Sequence, residues 1–499
     1  MVARKTPTAR KAPARAPARA PAKRAPAKAV KEKAPAFSTS QLYRGVLASV
    51  AKIVGDSDNM ESTTPLHTGS LVHDLVLGGG YKPAMYTNAG WEQSAKTTDQ
   101  LHGLAEAIVA DVDVIAFFDA EGSTKSSLDY LARILQNAGV KLTKDQLFGK
   151  WSEGKQIQEG RVYYRSLTRG NLFFNWLAAV LNRAPDKLEV NGKWYLKFPN
   201  DKAHSHLKQH HDETTKKKDG IYIRAKDGNL AGIVFVDSWA ALNPDSKDED
   251  DVNNALGSQA RMFSAGLKRV KGLLAAKKFA IIGTNRLSEI PMAITGPKEK
   301  EVGGNALRYD SDARTRFTSR SLSGAPLWPV ESKKKKGYEV ERAIGGGVDA
   351  YQYKHIKTAK NKLGTAGREG WLRIWVRDSN GKGRGIDPVF DTIMYLYMTG
   401  QIIAGGQKAR SKMVLNLDKY GKSKKTITWD EMKLWILGGR DGAIEICKKQ
   451  GFTKPFPIRA WCKKQMQSGR GEELYSIADG AASEAPKEEK AGSDDAAEE

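Results

Sequence analysis

The sequence predicts an α/β fold, a mainly parallel sheet flanked by helices, followed by a small C-terminal α+β domain. Apolar runs of strand length stand at Ala84–Tyr86, Val114–Phe118, Gly232–Asp237 and Phe279–Thr284, separated by helix-length stretches. That alternation feeds parallel strands through helical crossovers. Polar residues follow these runs, among them Glu121, Asp237 and Asn285, and in open α/β sheets ligands bind beyond the carboxyl ends of the strands. Size agrees. A chain of 499 residues with 40% apolar composition can bury a large core and has room for two or three domains.

Charge divides the chain. Residues 1–36 carry eleven Lys or Arg and one Glu among Ala-Pro repeats, and such a segment cannot form a core. It reads as a basic arm, either for nucleic-acid phosphates or as a solubilising or targeting tail. Residues 476–499 read as an acidic tail. The whole chain is still +24, so the middle is basic and expects a polyanionic partner. Two cysteines, Cys447 and Cys462, are too few for a disulfide framework and suit a reducing compartment. With no membrane-length apolar run and no signal-peptide core in the arm, the expected location is the cytoplasm.

In chain order, residues 37–60 offer Ser38 or Thr39 as a cap and Leu42, Val46, Leu47, Val50 and Ile53 on one helical face. Such a helix packs on its own core or on a neighbouring subunit. Residues 61–387 form the expected core. Its centre is Asn88 to Thr98, which reads as strand, phosphate-sized turn and the start of a helix that continues through Leu101, Leu104, Ala105 and Ile108. Backbone N–H groups at a helix start attract anions, a lysine at the turn reaches terminal phosphates, and the adjacent hydroxyl holds Mg2+. Lys96 and Thr97 occupy those places. Glycine belongs before the lysine, and Ala95 stands there instead, where a side chain crowds the phosphate or resists the turn. By itself this loop suits a nucleotide site and a plain strand-to-helix turn equally.

After the second strand comes Asp119-Ala120-Glu121. Glu121 there either orients a water attacking a γ-phosphate or is a charged residue at a strand end. After the third strand, Asp237 with Ser238 is placed to support Mg2+. Residues 145–228 interrupt the pattern as an insertion, first aromatic-rich and then bearing His204, His206, His210 and His211. The histidines read as a metal set or, given the lysines around them, as a solvated loop.

Several signatures in order resemble the ATPase core of RecA-family recombinases. They are Thr68-Gly69-Ser70-Leu71, Asp74-Leu75-Val76-Leu77-Gly78-Gly79-Gly80, the loop Gly90 to Thr98, Asp119-Ala120-Glu121, Gly303-Gly304-Asn305-Ala306-Leu307-Arg308-Tyr309 and Lys360-Asn361-Lys362. The resemblance covers roughly residues 62–138 and 230–378. It implies that Gly90, Glu92, Ser94, Ala95, Lys96, Thr97, Thr98, Asp237 and Ser238 bind ATP, with Mg2+ on Thr97 and Asp237. It makes Glu121 and Lys96 catalytic, and has Lys360 and Lys362 reach a neighbouring subunit's ATP in a filament. It also makes Arg261, on the helix after the first DNA loop, and Arg286, which stands where the family has the glutamine that senses the γ-phosphate, DNA-binding residues. Residues Leu287–Val302 stand for the second DNA loop, closed by Gly303, Gly304, Asn305 and Arg308. In it Lys298 and Lys300 meet phosphates, while Ile290, Met292 and Ile294 wedge between bases.

The acidic run Asp245, Asp248 to Asp251 repels phosphate and is expected to face solvent. Lys333 to Lys336 reads as a hairpin tip or a further phosphate contact. Residues 388–475, with Trp429, Trp435 and Trp461, stand where the family places its C-terminal domain. The expected function is an ATP-dependent recombinase that forms filaments on single-stranded DNA and exchanges it into a homologous duplex, in recombination and repair. Its expected partners are single- and double-stranded DNA and further copies of itself, not a membrane. Two alternatives stay open: a DNA-coating protein with weak or no hydrolysis, for which Ala95 and Arg286 speak, and a helicase-like motor on the same fold.

Overall fold

A computed structural model describes residues 64–122, 128–152, 155–215, 219–225, 230–245, 257–290, 299–319, 339–342, 348–378, 382–404, 413–417 and 426–475. The basic arm, the helix expected at 37–60, the acidic run from Asp248 to Asp251, Lys333 to Lys336 and the acidic tail lie outside them.

The main sheet comprises β1 (Met85–Gly90), β2 (Val114–Asp119), β3 (Tyr163–Ser166), β4 (Gly232–Asp237), β5 (Phe279–Glu289), β6 (Glu299–Glu301), β7 (Ala313–Thr318), β8 (Glu339–Arg342), β9 (Val348–Asn361), β10 (Glu369–Arg377) and β11 (Gly385–Ile386). Across the sheet the order is β11-β10-β9-β7-β1-β5-β4-β2-β3, with β6 on β5 and β8 on β9. Neighbours from β7 to β3 are parallel. Those from β7 to β11 are antiparallel.

The helices are α1 (Leu71–Leu77), α2 (Lys96–Val109), α3 (Leu128–Asn137), α4 (Gly170–Arg183), α5 (Ser258–Lys277), α6 (Gly304–Asp310), α7 (Pro388–Met398), α8 (Trp429–Leu437), α9 (Gly439–Gln450) and α10 (Ile458–Gln467), besides the single turn Lys144–Phe148. Parallel strands covered on both faces must be apolar at every position, not every second one. Ile115, Phe117, Ile233, Phe235 and Ile282 accordingly pack with α2 and α3, while Ala116, Phe118, Val234, Val236 and Ile281 pack with α4 and α5. The mainly parallel sheet between helices is the fold class expected from the sequence.

Residues 145–228 do not behave as one insertion. Tyr163–Ser166 extends the main sheet as β3, parallel to β2. α4 buries Phe173, Phe174, Leu177 and Leu181 in the same core as α5. Outside the sheet remain the hairpin Lys150–Ser152 with Lys155–Gln158 and an antiparallel sheet of Asp186–Val190, Lys193–Phe198 and Ile221–Arg224. Two of the histidines there serve local structure. His204 Nδ1 lies 2.7 Å from Asp201, and His211 Nδ1 accepts the Tyr222 N–H at 2.9 Å. No cluster of three or more His, Cys, Asp or Glu side chains able to hold a metal occurs among the described residues.

The C-terminal helices share an apolar cluster with α1, in which Leu71 and Leu75 meet Ile393, Leu396, Trp435 and Cys462. Asp391 of α7 fastens this junction. Its carboxylate accepts from Ser70 Oγ at 2.5 Å, from the backbone N–H groups of Leu71 and Val72 at 2.9 and 3.2 Å, and from Arg459 at 2.6 Å. It therefore supplies acceptors to the open N-terminus of α1. Asp391→Asn is expected to cost about 2 kcal/mol, read by denaturant unfolding, because an amide leaves buried donors poorly paired. Both cysteines are free and buried. No helix among the described residues is long and apolar enough to cross a membrane.

Candidate functional site

Four parallel strands end side by side, and their carboxyl ends build the site. Register sets Gly90 of β1 beside Arg286 of β5, and Asp119 of β2 beside Asp237 of β4. The chain leaves Gly90 into the loop and re-enters as α2 at Lys96. Glycine at 90 is a packing requirement: a Cβ would stand 2.4 Å from the Phe317 carbonyl oxygen and 2.6 Å from Ser94 Oγ. The base of the loop is held by Asn88, whose amide donates to Asp99 of α2 at 3.0 Å.

Lys96 Nζ donates to the loop's own Gly90 and Trp91 carbonyls, at 2.8 and 2.6 Å, and to Ser94 Oγ at 3.2 Å. The loop thus curls around the ammonium. Thr97 Oγ1 donates to Asp237 Oδ2 at 2.9 Å, and Thr284 Oγ1 to Asp237 Oδ1 at 2.5 Å. Burial pushes the Asp237 carboxyl up, Glu121 adds to this, and the two hydroxyls oppose it. A buried carboxylate beside a hydroxyl, crowded by a second carboxylate, is a donor set that suits a hard divalent cation. Ser238, joined to Asp237 by a cis peptide, donates to Glu121 Oε1 at 2.5 Å. Arg286 also reaches Glu121 Oε1, through Nε at 3.3 Å and its terminal nitrogen at 3.2 Å. Thr97, Asp237, Ser238, Glu121 and Arg286 are therefore one connected cluster, and Lys96 lies within electrostatic reach of Asp237, Glu121 and Arg286.

Arg286 differs from its expected place. Thr284 and Asn285 do not end the strand: β5 runs on to Glu289 and folds back through β6. From that strand the guanidinium lies on the carboxylate of Glu121. Glu92 is exposed, whereas Ser94 is buried in the loop. Thr98 Oγ1 meets the Tyr130 hydroxyl at 3.2 Å. A cavity of about 440 Å3 opens beside residues 93–98, lined also by Tyr130, Arg133, Gln352, Lys354 and Val376. Its size suits a nucleotide. A larger cavity, about 710 Å3 and lined by Glu106, Lys187, Trp194 and Lys463, includes none of the cluster residues.

Ala95 caps α2 with φ 74° and ψ 17°, in the left-handed region. An L-residue with a Cβ pays roughly 1–2 kcal/mol for that conformation, and glycine does not. Ala95→Gly is expected to raise stability by about 1 kcal/mol and to tighten nucleotide binding, measured by thermal unfolding and by nucleotide titration. An unchanged unfolding midpoint would show that packing of the methyl against the apolar cluster around Phe317 offsets the strain.

Toward the expected DNA side, β5, β6 and α6 frame the segment 291–298. Met292, Ile294 and Lys298 lie outside the described residues. Ile290 is half-buried; Lys300, Asn305, Arg308 and Arg261 are exposed. Gly303 and Gly304 have φ of 94° and 75°, and a Cβ on Gly304 would stand 2.7 Å from Ala260 Cβ, so that α6 starts tight against α5. Glu299 and Glu301 of β6 pair with Arg316 and Arg314 of β7. The Trp91 indole of the loop donates to Glu299 at 2.8 Å. Sequence reasoning missed this last tie, as it missed Thr284, Tyr130 and Lys354. Only Thr284, the final residue of an expected strand, carried a usable signal.

Lys360 lies at the C-terminus of α6, donating to the Arg308 and Tyr309 carbonyls at 3.2 and 2.6 Å. Burial and the charges of Lys362, Lys271 and Arg314 hold its amine below the usual lysine range. Lys362 is exposed. Within one chain neither lysine belongs to the loop cluster.

A strand-to-helix loop beside two carboxylates at the carboxyl ends of a mainly parallel sheet defines the class: an α/β protein with a RecA-like core. Comparison with known proteins agrees. Residues 219–323 match the RecA N-terminal domain family. The chain is 31% identical over 187 residues to Protein RecA of Thermus aquaticus, spanning 37% of this chain and 47% of the relative. It is 28% identical over 265 residues to that of Mycoplasma mycoides, 52% of this chain and 56% of the relative, and 29% identical over 287 residues to that of Prochlorococcus marinus, 57% of each. The chain spans about half the length of the curated relatives it matches. Over these stretches the chain is similar to RecA proteins.

Proposed function

We propose that this protein is an ATP-dependent recombinase that assembles on single-stranded DNA in the cytoplasm and pairs it with a homologous duplex. The observation that carries the reading is the continuity of β5. One strand holds Thr284 on Asp237, Arg286 on Glu121, and then leads directly to the segment expected to meet DNA.

The chemistry follows from the residues. Lys96 exchanges its loop carbonyls for the terminal phosphates of ATP. Thr97 Oγ1 and Asp237 would hold Mg2+, which when bound supplies charge neutralisation on those phosphates. Glu121, fixed through one oxygen by Ser238, orients the attacking water. Arg286 binds phosphate more strongly than an amide does, so a γ-phosphate competes with Glu121 for its guanidinium. That competition frees the carboxylate and draws on β5, which couples nucleotide state to the DNA segment. Lys360 and Lys362 act on a neighbouring subunit's ATP, stabilising charge on the transferring phosphoryl group, so turnover requires assembly.

ATP hydrolysis measured with and without single-stranded DNA tests this. Turnover that rises at least about tenfold with DNA, together with strand exchange, is the expected result. A second reading, a DNA-coating protein without hydrolysis, is favoured by the strained Ala95 and by the engagement of Glu121 with Arg286. DNA binding indifferent to ATP, with no turnover, would establish that reading instead.

A further inference from the structure

We propose that Lys354 is a second phosphate-binding cation of the nucleotide pocket, directed at the phosphate nearest the nucleoside. This rests on the nucleotide site proposed above. Lys354 lies within β9 and is only 5% exposed. Its ammonium donates to Ser319 Oγ at 2.9 Å, a neutral partner. Among the described residues no carboxylate pairs with it, and burial alone holds its amine below the usual lysine range. A buried cation with no counter-charge is costly, and an apolar residue of similar length would be more stable there. The neighbours show as much, since Ile356, two residues on and on the same face of the strand, joins the apolar cluster of Phe317 and Ile374.

What Lys354 faces explains its charge. It lines the same cavity as loop residues 93–98, so an anion held by the loop is the one within its reach. Lys96 and Thr97 are committed to the terminal phosphates by their place at the start of α2. The same cavity is lined by Ile374, Val376 and Tyr130, surfaces suited to a base and sugar, and by Arg133, whose Nε donates to the Gly383 carbonyl at 2.7 Å. A cation among such surfaces meets the inner phosphate, which ATP and ADP have in common.

The test uses the full chain and titrates fluorescent ATP and ADP analogues with Mg2+ into wild type, Lys354→Met, Lys354→Arg and Lys96→Ala. Lys354→Met is expected to weaken both nucleotides by at least about tenfold while its unfolding midpoint holds or rises, and Lys354→Arg to restore most of the affinity. Wild-type affinity in Lys354→Met, with binding lost in Lys96→Ala, would overturn the role of Lys354 and leave the nucleotide site standing. Weakening confined to ATP would overturn the assignment to the inner phosphate. A lowered midpoint that arginine does not rescue would make Lys354 structural. No binding by wild type would remove the site and this proposal together.

Discussion

Lys96→Ala is expected to lower ATP turnover by about a hundred- to a thousandfold, the scale seen when one preorganised donor to a developing charge is removed. The lysine is already held at the mouth of the loop by the Gly90 and Trp91 carbonyls, so it exchanges partners without a large search. The fold should not suffer. Burial lowers the Lys96 amine from its ordinary value to about 8, against the opposing pull of Asp237 and Glu121. A lysine whose value is lower folded than unfolded destabilises the fold while it is charged, so its removal leaves the unfolding midpoint unchanged or raised. The same shift predicts a pH dependence. Below about 8 the free loop is charged and ready for phosphate; above it, binding must first take up a proton, and nucleotide affinity falls as pH rises. Titration of a nucleotide analogue between pH 7 and about 9 measures this, and affinity that stays flat for wild type would argue against contact between Lys96 and phosphate.

Glu121→Gln is expected to reduce the turnover number by about a hundred- to ten-thousandfold with nucleotide affinity retained. The substitution keeps the shape that Ser238 and Arg286 hold and removes the negative charge that orients water. A structural role would behave differently. Arg286 and Glu121 have side chains 52% and 26% exposed, and an ion pair that open contributes under about 1 kcal/mol. Unfolding should therefore hardly move. A turnover number unchanged in Glu121→Gln would pass the catalytic role to another group, or show that hydrolysis is not this protein's business.

How much of this was legible beforehand can be argued residue by residue. The apolar runs of β1, β2, β4 and the first part of β5 were plain because strands covered on both faces have no polar alternation to confuse them. β3 was hidden, being only four residues long and exposed or half-buried at each position, with nothing to separate it from a loop. The extension of β5 past Asn285 was hidden for a related reason. Arg286, Ser288 and Glu289 are polar, and the pairing with Glu299 to Glu301 that makes them a strand comes from beyond the segment 291–298. The insertion's histidines suggested ligation by type, but type says nothing about convergence, and the chain spends His204 on Asp201 and His211 on a backbone N–H.

The sequence by itself determined whatever depends on neighbours along the chain: the turn from Gly90 into α2, the lysine and hydroxyl that open that helix, the carboxylates placed after two strands, and the two glycines that let α6 start tight against α5. These are local demands of backbone angle and close approach, so they are written at fixed spacing. Only the tertiary structure decided which of these groups meet. Arg286 finds Glu121, and Thr284 finds Asp237, because β5 and β2 flank β4. Asp391 fastens α1 because α7 packs beside it, and Lys354 enters the loop's cavity because β9 lies next to β7. Partners of that kind follow from the order of strands across the sheet, and that order is fixed by the packing of the whole core.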